Sequence, residues 1–240
     1  MSSTTTQDKV VQEFTPSKPQ FEGEENRWEL RWKHGQTGWD LGKRHPELYR
    51  LHKDLSSALY QDLKLENGFK KALVPGCGSG YDVFSLCEIA GMERVVGLDV
   101  APTANERANQ LRAEMGEPYS SVAQFLVGNF FEFGRQGEHL SETFDLCFDY
   151  TFLCAMNVED REKWAQSYAR LLRRGGRLLT MIFPLRKMVD ADTGPPYQIS
   201  LDLARDLLEK VGFECVYHGE PQESPEGRKG NEYVAIWQKK

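Results

Sequence analysis

The stretch that decides the fold is Ala72-Leu-Val-Pro-Gly76-Cys-Gly78-Ser-Gly80-Tyr-Asp82. A short apolar run stops at a proline and three glycines, and Val83, Phe84, Leu86, Cys87 and Ile89 then recur at helical spacing as far as Gly91. A strand that turns through glycines into a helix is the opening unit of an open α/β sheet. In such sheets ligands sit beyond the carboxyl ends of the strands, where the strand order reverses. Glycines there let the backbone approach a ligand with no Cβ in the way. Tight strand–helix packing produces the same turn, so the motif needs support from its surroundings.

Support comes from the next strand, Arg94-Val-Val-Gly-Leu-Asp99. Its closing acid lies 19 residues after Gly80, about where nucleotide-binding sheets place a carboxylate on ribose hydroxyls. The alternative is that Asp99 only caps the helix opening at Pro102, which Gly116 ends. Downstream, Gln124-Phe-Leu-Val reads as a third strand and Phe144–Asp149 as a fourth, followed by a helix over about 159–172. Gly175-Gly176 is expected to turn the chain into a fifth strand, Arg177–Phe183. A helix near 201–211 and two final strands, Phe213–Tyr217 and Tyr233–Trp237, end the sequence. Strands alternating with helices of this length predict a Rossmann-like, mainly parallel, doubly wound α/β sheet. The last two strands, with no helix between them, predict an antiparallel hairpin at its edge.

Composition narrows the ligand. The 30 Lys and Arg against 36 Asp and Glu leave a net charge of −6, which argues against nucleic acid as a partner, because phosphate neutralisation needs a basic surplus. The longest stretch free of charged residues, Pro118 to Phe131, is too short and too polar to span a bilayer. Five scattered cysteines without a CxxC pair predict reduced thiols in a cytoplasmic protein rather than disulfides or zinc. The five histidines show no metal-ligand spacing. The leading 1–25 are polar and read as a tail; 26–240 read as the folded domain, with 26–66 as a helical arm.

The arm is distinctive. Trp28 and Trp32, at i and i+4, share a helix face and Trp39 follows closely. Leu48, Leu51, Leu55, Leu59 and Leu63 predict one amphipathic helix lying on the domain. The glycine order GxGxG, in place of GxGxxG, favours a nucleoside without a pyrophosphate over NAD.

Six segments carry a resemblance: Trp28-Glu-Leu-Arg-Trp32, Thr37-Gly-Trp39-Asp40, Leu73-Val-Pro-Gly-Cys-Gly78, Val96-Gly-Leu-Asp99, Phe144-Asp-Leu-Cys-Phe-Asp-Tyr150 and Gly194-Pro-Pro-Tyr197. Together they resemble the thiopurine S-methyltransferase family, in the branch of the halide, thiocyanate and thiol methyltransferases of plants and fungi. The resemblance implies an S-adenosyl-L-methionine-dependent enzyme that methylates a small thiol or thiolate-like anion. It implies that Trp28, Trp32, Trp39, Gly76, Gly78, Asp99, Asn129, Phe130 and Tyr150 contact the cofactor, with Tyr150 facing the transferring methyl and the substrate. The proline-rich segment Phe183–Tyr197 reads as a lid from which Arg186 and Tyr197 touch the substrate.

A thiol of reference pKa about 8.5 is already a few per cent thiolate at neutral pH, so the reaction is expected to run by positioning, without an obligatory catalytic acid or base. Asp40, Asp82 and Asp149 are candidate bases, read in preference as capping or orienting groups; Cys154 is a reactive thiol near the site or, in preference, a buried apolar filler; Arg228 and Lys229 could reach an anionic substrate, although exposed basic pairs are usually solvated. The expected partner is a small molecule only, and the expected state a monomer. Two other readings stand beside this one: an NAD(P)-dependent oxidoreductase on the same sheet, and a non-catalytic protein that keeps the cofactor site.

Overall fold

The computed structural model describes residues 24–51, 53–54, 56–63, 68–89, 91–135, 143–186 and 195–240. The elements in order are α1 (Glu24–Lys33), α2 (Pro46–Arg50), α3 (Ala58–Leu63), β1 (Lys71–Pro75), α4 (Tyr81–Cys87), β2 (Arg94–Asp99), α5 (Pro102–Met115), α6 (Tyr119–Val122), β3 (Ala123–Val127), β4 (Phe144–Tyr150), α7 (Arg161–Leu171), β5 (Leu172–Ile182), α8 (Leu201–Glu209), β6 (Phe213–Gly219) and β7 (Tyr233–Lys239). Most of the expected tail lies outside the described residues, and Glu24 and Glu25 already form the first turn of α1.

Seven strands form one sheet in the order β3-β2-β1-β4-β5-β7-β6. β1 pairs in parallel with β2 and β4, β2 with β3, and β4 with β5. β7 is antiparallel to both β5 and β6, which gives the expected hairpin at the edge. The order reverses between β1 and β4, so the crevice lies over the carboxyl ends of the central strands. The inner strands β1, β2 and β4 are buried nearly throughout, as parallel strands covered on both faces must be. Among the described residues no helix is long and apolar enough to cross a membrane.

Two expectations are corrected. The leucine stripe is not one helix: α2 and α3 are separated by a turn at Asp54. Its carboxylate accepts the Ser56 N–H at 3.2 Å and the Ser56 hydroxyl at 2.7 Å, while its carbonyl accepts the Ser57 N–H. Asp and Ser side chains here outbid the helical ladder for local donors. Leu48, Leu51, Leu59 and Leu63 are nevertheless all buried in the main core, and Leu55 lies outside the described residues. Gly175-Gly176 is likewise no turn into a strand. β5 already pairs at Leu172, and the pairing then slips, a step from Phe144 to Leu146 matching a step from Leu172 to Arg177. The glycines sit in a bulge inside the strand.

Candidate active site

At the switch point the chain encloses a cavity of about 900 Å³. Its lining follows from the topology. On one side of β1 come Leu98, Asp99 and Val100 from the end of β2 and Gly128 to Phe131 after β3. On the other come Thr151 and Phe152 after β4 and Phe183 after β5. Trp28, Arg31, Trp32 and Trp39 of the arm, and Pro195, Pro196 and Arg228 from later loops, complete the wall.

The arm is held over the crevice by Glu29. Its carboxylate accepts the Thr103 N–H at 3.0 Å and the Thr103 hydroxyl at 2.8 Å, satisfying an orphan donor in the first turn of α5. Burial pushes this carboxyl up, but the bonds from Thr103 outweigh it and keep it below its ordinary value. The three indoles meet edge to face, Trp28 on Trp39 at 5.2 Å and Trp32 on Trp39 at 6.2 Å. Trp32 forms a small satellite cluster with Ala101 and Ala104 and is 7% exposed.

Beneath the indoles the glycine turn closes up. Gly76 and Gly78 both take positive φ, 60° and 53°. A Cβ on Gly76 would collide with the Phe152 ring, and one on Gly78 would stand 3.2 Å from Trp32. The Gly78 N–H donates to Asp99 Oδ2 and the Ala101 N–H to Asp99 Oδ1, each at 2.9 Å. The Val100 N–H bonds the carboxylate as well, and with about four acceptor sites on its two oxygens the group can still accept a ligand hydroxyl. Burial raises the Asp99 carboxyl above its ordinary value against the lowering effect of those N–H groups. Asn129 Oδ1 accepts the Phe131 N–H at 2.8 Å, and the buried Phe130 packs edge to face on Phe152 at 5.3 Å.

Thus the structure brings Trp28, Trp32, Trp39, Gly76, Asp99, Asn129 and Phe130 to one cavity. It does not bring four other expected residues to the wall. Gly78 lies behind Trp32 and makes room for it. Tyr150 is buried, with its hydroxyl on Glu232 and Arg228 and its ring 4.6 Å from that of His45, so it faces a polar cluster behind the wall. Arg186 is exposed, its N–H held by Asn231 Oδ1 at 2.7 Å. Tyr197 donates its N–H to the Cys154 carbonyl at 2.8 Å and turns its ring toward Arg161. Most of the expected lid, residues 187–194, lies outside the described residues.

Arg228 is the converse case. The residue is 9% exposed and lines the cavity, and its guanidinium lies 4.4 Å over the Phe183 ring and 5.1 Å over Tyr150. It is not half of a solvated pair; only Lys229 is exposed. Arg31 is also in the wall, stacked between Trp28 and Trp39 at 5.6 and 5.7 Å. Thr151 lines the cavity with φ 56°, a left-handed conformation costing a β-branched residue roughly 1–3 kcal/mol, the kind of strain that clusters at functional sites.

The carboxylates weighed as bases are engaged elsewhere. Asp149 accepts Trp164 Nε1 at 2.7 Å, the Tyr168 hydroxyl at 2.8 Å and the Leu153 N–H at 3.3 Å, which shapes the turn below Phe152. Asp82 accepts the His45 N–H, and Asp40 accepts the Ser79 hydroxyl and the Gly42 N–H. Cys154 is in the wall, but burial pushes its thiol up to about 12, which removes it as a nucleophile at neutral pH.

A mainly parallel sheet with this strand order, an antiparallel closing pair, a glycine turn after β1 and an acid ending β2 make up the fold of the class I methyltransferases. The chain belongs to the thiopurine S-methyltransferase family, whose model matches residues 23–239. It is 38% identical over 213 residues to a probable thiol methyltransferase 2 of Arabidopsis thaliana, covering 88% of this chain and 84% of the relative. It is 36% identical over 217 residues to thiocyanate methyltransferase 1 of Brassica oleracea, covering 90% and 86%. The solved Burkholderia thailandensis 1,6-didemethyltoxoflavin-N1-methyltransferase, with bound S-adenosylhomocysteine, shares the fold at TM-score 0.61 and 17% identity over 94% of each chain. The chain is therefore an S-adenosylmethionine-dependent methyltransferase acting on a small molecule, and the oxidoreductase and non-catalytic readings are set aside. The site fits that cofactor: the cavity has room for a nucleoside and a small substrate, and its turn is stripped of Cβ atoms where the wall is closest.

Proposed function

We propose that this enzyme methylates small thiols and thiolate-like anions, such as hydrosulfide, thiocyanate, halide or the dithiol of a secondary metabolite. The observation that carries the reading is Arg228, a nearly buried cation that lies over the Phe183 ring in a wall that also holds Phe152, Cys154 and Met156 and the carboxylates Asp99, Asp160 and Glu226. A guanidinium there attracts a small anion and favours the ionised form of a bound thiol. The relatives' names as thiol and thiocyanate methyltransferases support it.

S-adenosylmethionine supplies an electrophilic methyl group on a sulfonium centre. In this reading the faces of Trp28, Trp32 and Trp39 favour a cation beside them and keep water out. Asp99 accepts ribose hydroxyl protons, Asn129 and Phe130 hold adenine, and Gly76 with Gly78 lets the turn close on the rest. Arg228 seats the anion while the surrounding rings strip its water, so that nucleophile and methyl carbon align for an in-line displacement. No proton need be removed from an anion that arrives ionised. Tyr150 acts from behind the wall, and Arg186 and Tyr197 take no part in this assignment. The assignment extends to a cytoplasmic monomer acting in detoxification, without a membrane partner; the net charge of −6 supports leaving nucleic acid out of its partners.

The test is a substrate panel of thiocyanate, hydrosulfide, iodide and a neutral thiol, scored by S-adenosylhomocysteine release. Turnover of the anions, with KM rising about tenfold or more in Arg228→Met, is the expected result for loss of a charge-assisted contact. Anion turnover indifferent to Arg228→Met would count against it.

A further inference from the structure

Behind Arg228 lies a buried polar chain that the methyl transfer itself does not use. Glu232, 1% exposed, receives one donor on each carboxylate oxygen: His45 Nε2 on Oε1 and the Tyr150 hydroxyl on Oε2, both at 3.2 Å. The tautomer follows from the other face of the imidazole. His45 Nδ1 accepts the Glu47 N–H at 3.2 Å, so the ring proton sits on Nε2 and points at Glu232. Tyr150 in turn accepts from Arg228 Nη1, and Arg228 Nη2 donates to the Trp39 carbonyl at 3.1 Å. Donation thus runs from Arg228 through Tyr150 to Glu232, which accepts from His45 on its other oxygen.

We infer that Glu232 is a positioning residue for methyl transfer, holding Arg228 through the Tyr150 hydroxyl so that its guanidinium presents to the cavity at a fixed place. The inference rests on the reading of Arg228 as the anion's seat. An arginine side chain has many rotamers, and a flexible guanidinium would spread the anion over many positions instead of in line with the methyl group. A buried cation also requires a buried counter-charge, and Glu232 supplies it without entering the cavity. Burial and the Glu232 charge together keep the Tyr150 phenol protonated, as donation to Glu232 requires, although Arg228 opposes them. Two further carboxylates stand near His45: the half-buried Asp82 accepts the His45 N–H at 2.8 Å, and the buried Glu47 is paired with Arg50 at 2.7 Å.

Glu232→Gln keeps the size but cannot match the donors. Its NH2 group must face either the Tyr150 O–H or the His45 Nε2–H, and the counter-charge is gone. The expected result is a rise of about tenfold in KM for thiocyanate, with kcat within about threefold and S-adenosylmethionine affinity by calorimetry within about twofold. Tyr150→Phe removes the connecting hydroxyl and gives the same split. The double variant is no worse than the more severe single one, because both cut the same chain. Glu232→Asp, which keeps the charge, restores most of the loss.

A thiocyanate KM unchanged in Glu232→Gln and Tyr150→Phe, when Arg228→Met raises it, overturns the inference and leaves the anion seat standing. If Arg228→Met itself changes nothing, the reading beneath it fails instead. Cofactor affinity and KM lost together with the melting temperature mark a merely structural role and also overturn it. Should Glu232→Gln fail to fold, Tyr150→Phe and Glu232→Asp carry the same comparison.

Discussion

Arg228 donates a 3.1 Å hydrogen bond to the carbonyl oxygen of Trp39 across a separation of 189 residues. This one contact ties the loop before β7 to the arm that supplies the three indoles. The cation at one side of the cavity and the aromatic cover at the other are thereby ordered together. Glu29 performs the matching task at the opposite end of the arm, on the first turn of α5. These two polar contacts help to close the site, beside those of Asp40 with Ser79 and of His45 with Asp82 and Glu232.

Asp99→Ala is expected to weaken S-adenosylmethionine binding by about 1.5–3 kcal/mol, the scale of hydrogen bonds to a charged acceptor. Isothermal calorimetry measures it directly. Because burial raises the Asp99 carboxyl above its ordinary 3.8, wild-type affinity should fall on acidification sooner than an unperturbed aspartate would allow. An affinity unaltered in the variant means that the ribose lies elsewhere.

Trp32→Ala removes a side chain that packs on Ala101 and Ala104 outside the main core. Its effect should fall on the cofactor more than on the fold. We expect a loss of more than about tenfold in cofactor affinity, with a smaller drop in melting temperature than Trp164→Ala, which empties a site at the centre of the core. The reverse ranking would make Trp32 a packing residue only.

Glu29→Gln should lower stability at pH 7 by about 1 kcal/mol, from the weakened bonds and the lost charge at a helix start. The native carboxyl ionises below its ordinary 4.5, so its contribution is complete above that value and is lost as pH falls through the lower native one. Urea unfolding of both proteins should accordingly converge as pH is taken below 4.5. A gap that persists undiminished into acid contradicts the role given to Glu29.

The sheet was readable in the sequence because its signals are local. Pro75 and the glycines end β1, Asp99 ends β2, and Pro102 and Gly116 bound α5. The aromatic arm and most of the cofactor wall were legible for the same reason, since Trp28 and Trp32 share a face on any helix. What escaped depends on partners far along the chain. Arg228, paired with Lys229 between two glycines, reads as solvated until Tyr150, 78 residues earlier, and Trp39 are folded against it. His45 and Glu232 meet across 187 residues, with nothing in either neighbourhood to announce the other. The leucine stripe misled in the opposite sense. Its period foretold which residues are buried, but Asp54 and Ser56 decided where the helix breaks.

The central claim, that a small anion sits on Arg228 inside the aromatic cavity, is tested most directly by anomalous scattering from iodide in crystals grown with S-adenosylhomocysteine. An iodide peak is expected against the Arg228 guanidinium, between Phe183 and the indole wall, and is expected to disappear in Arg228→Met. Iodide found only on the outer surface, or a cavity peak that survives the substitution, would contradict it.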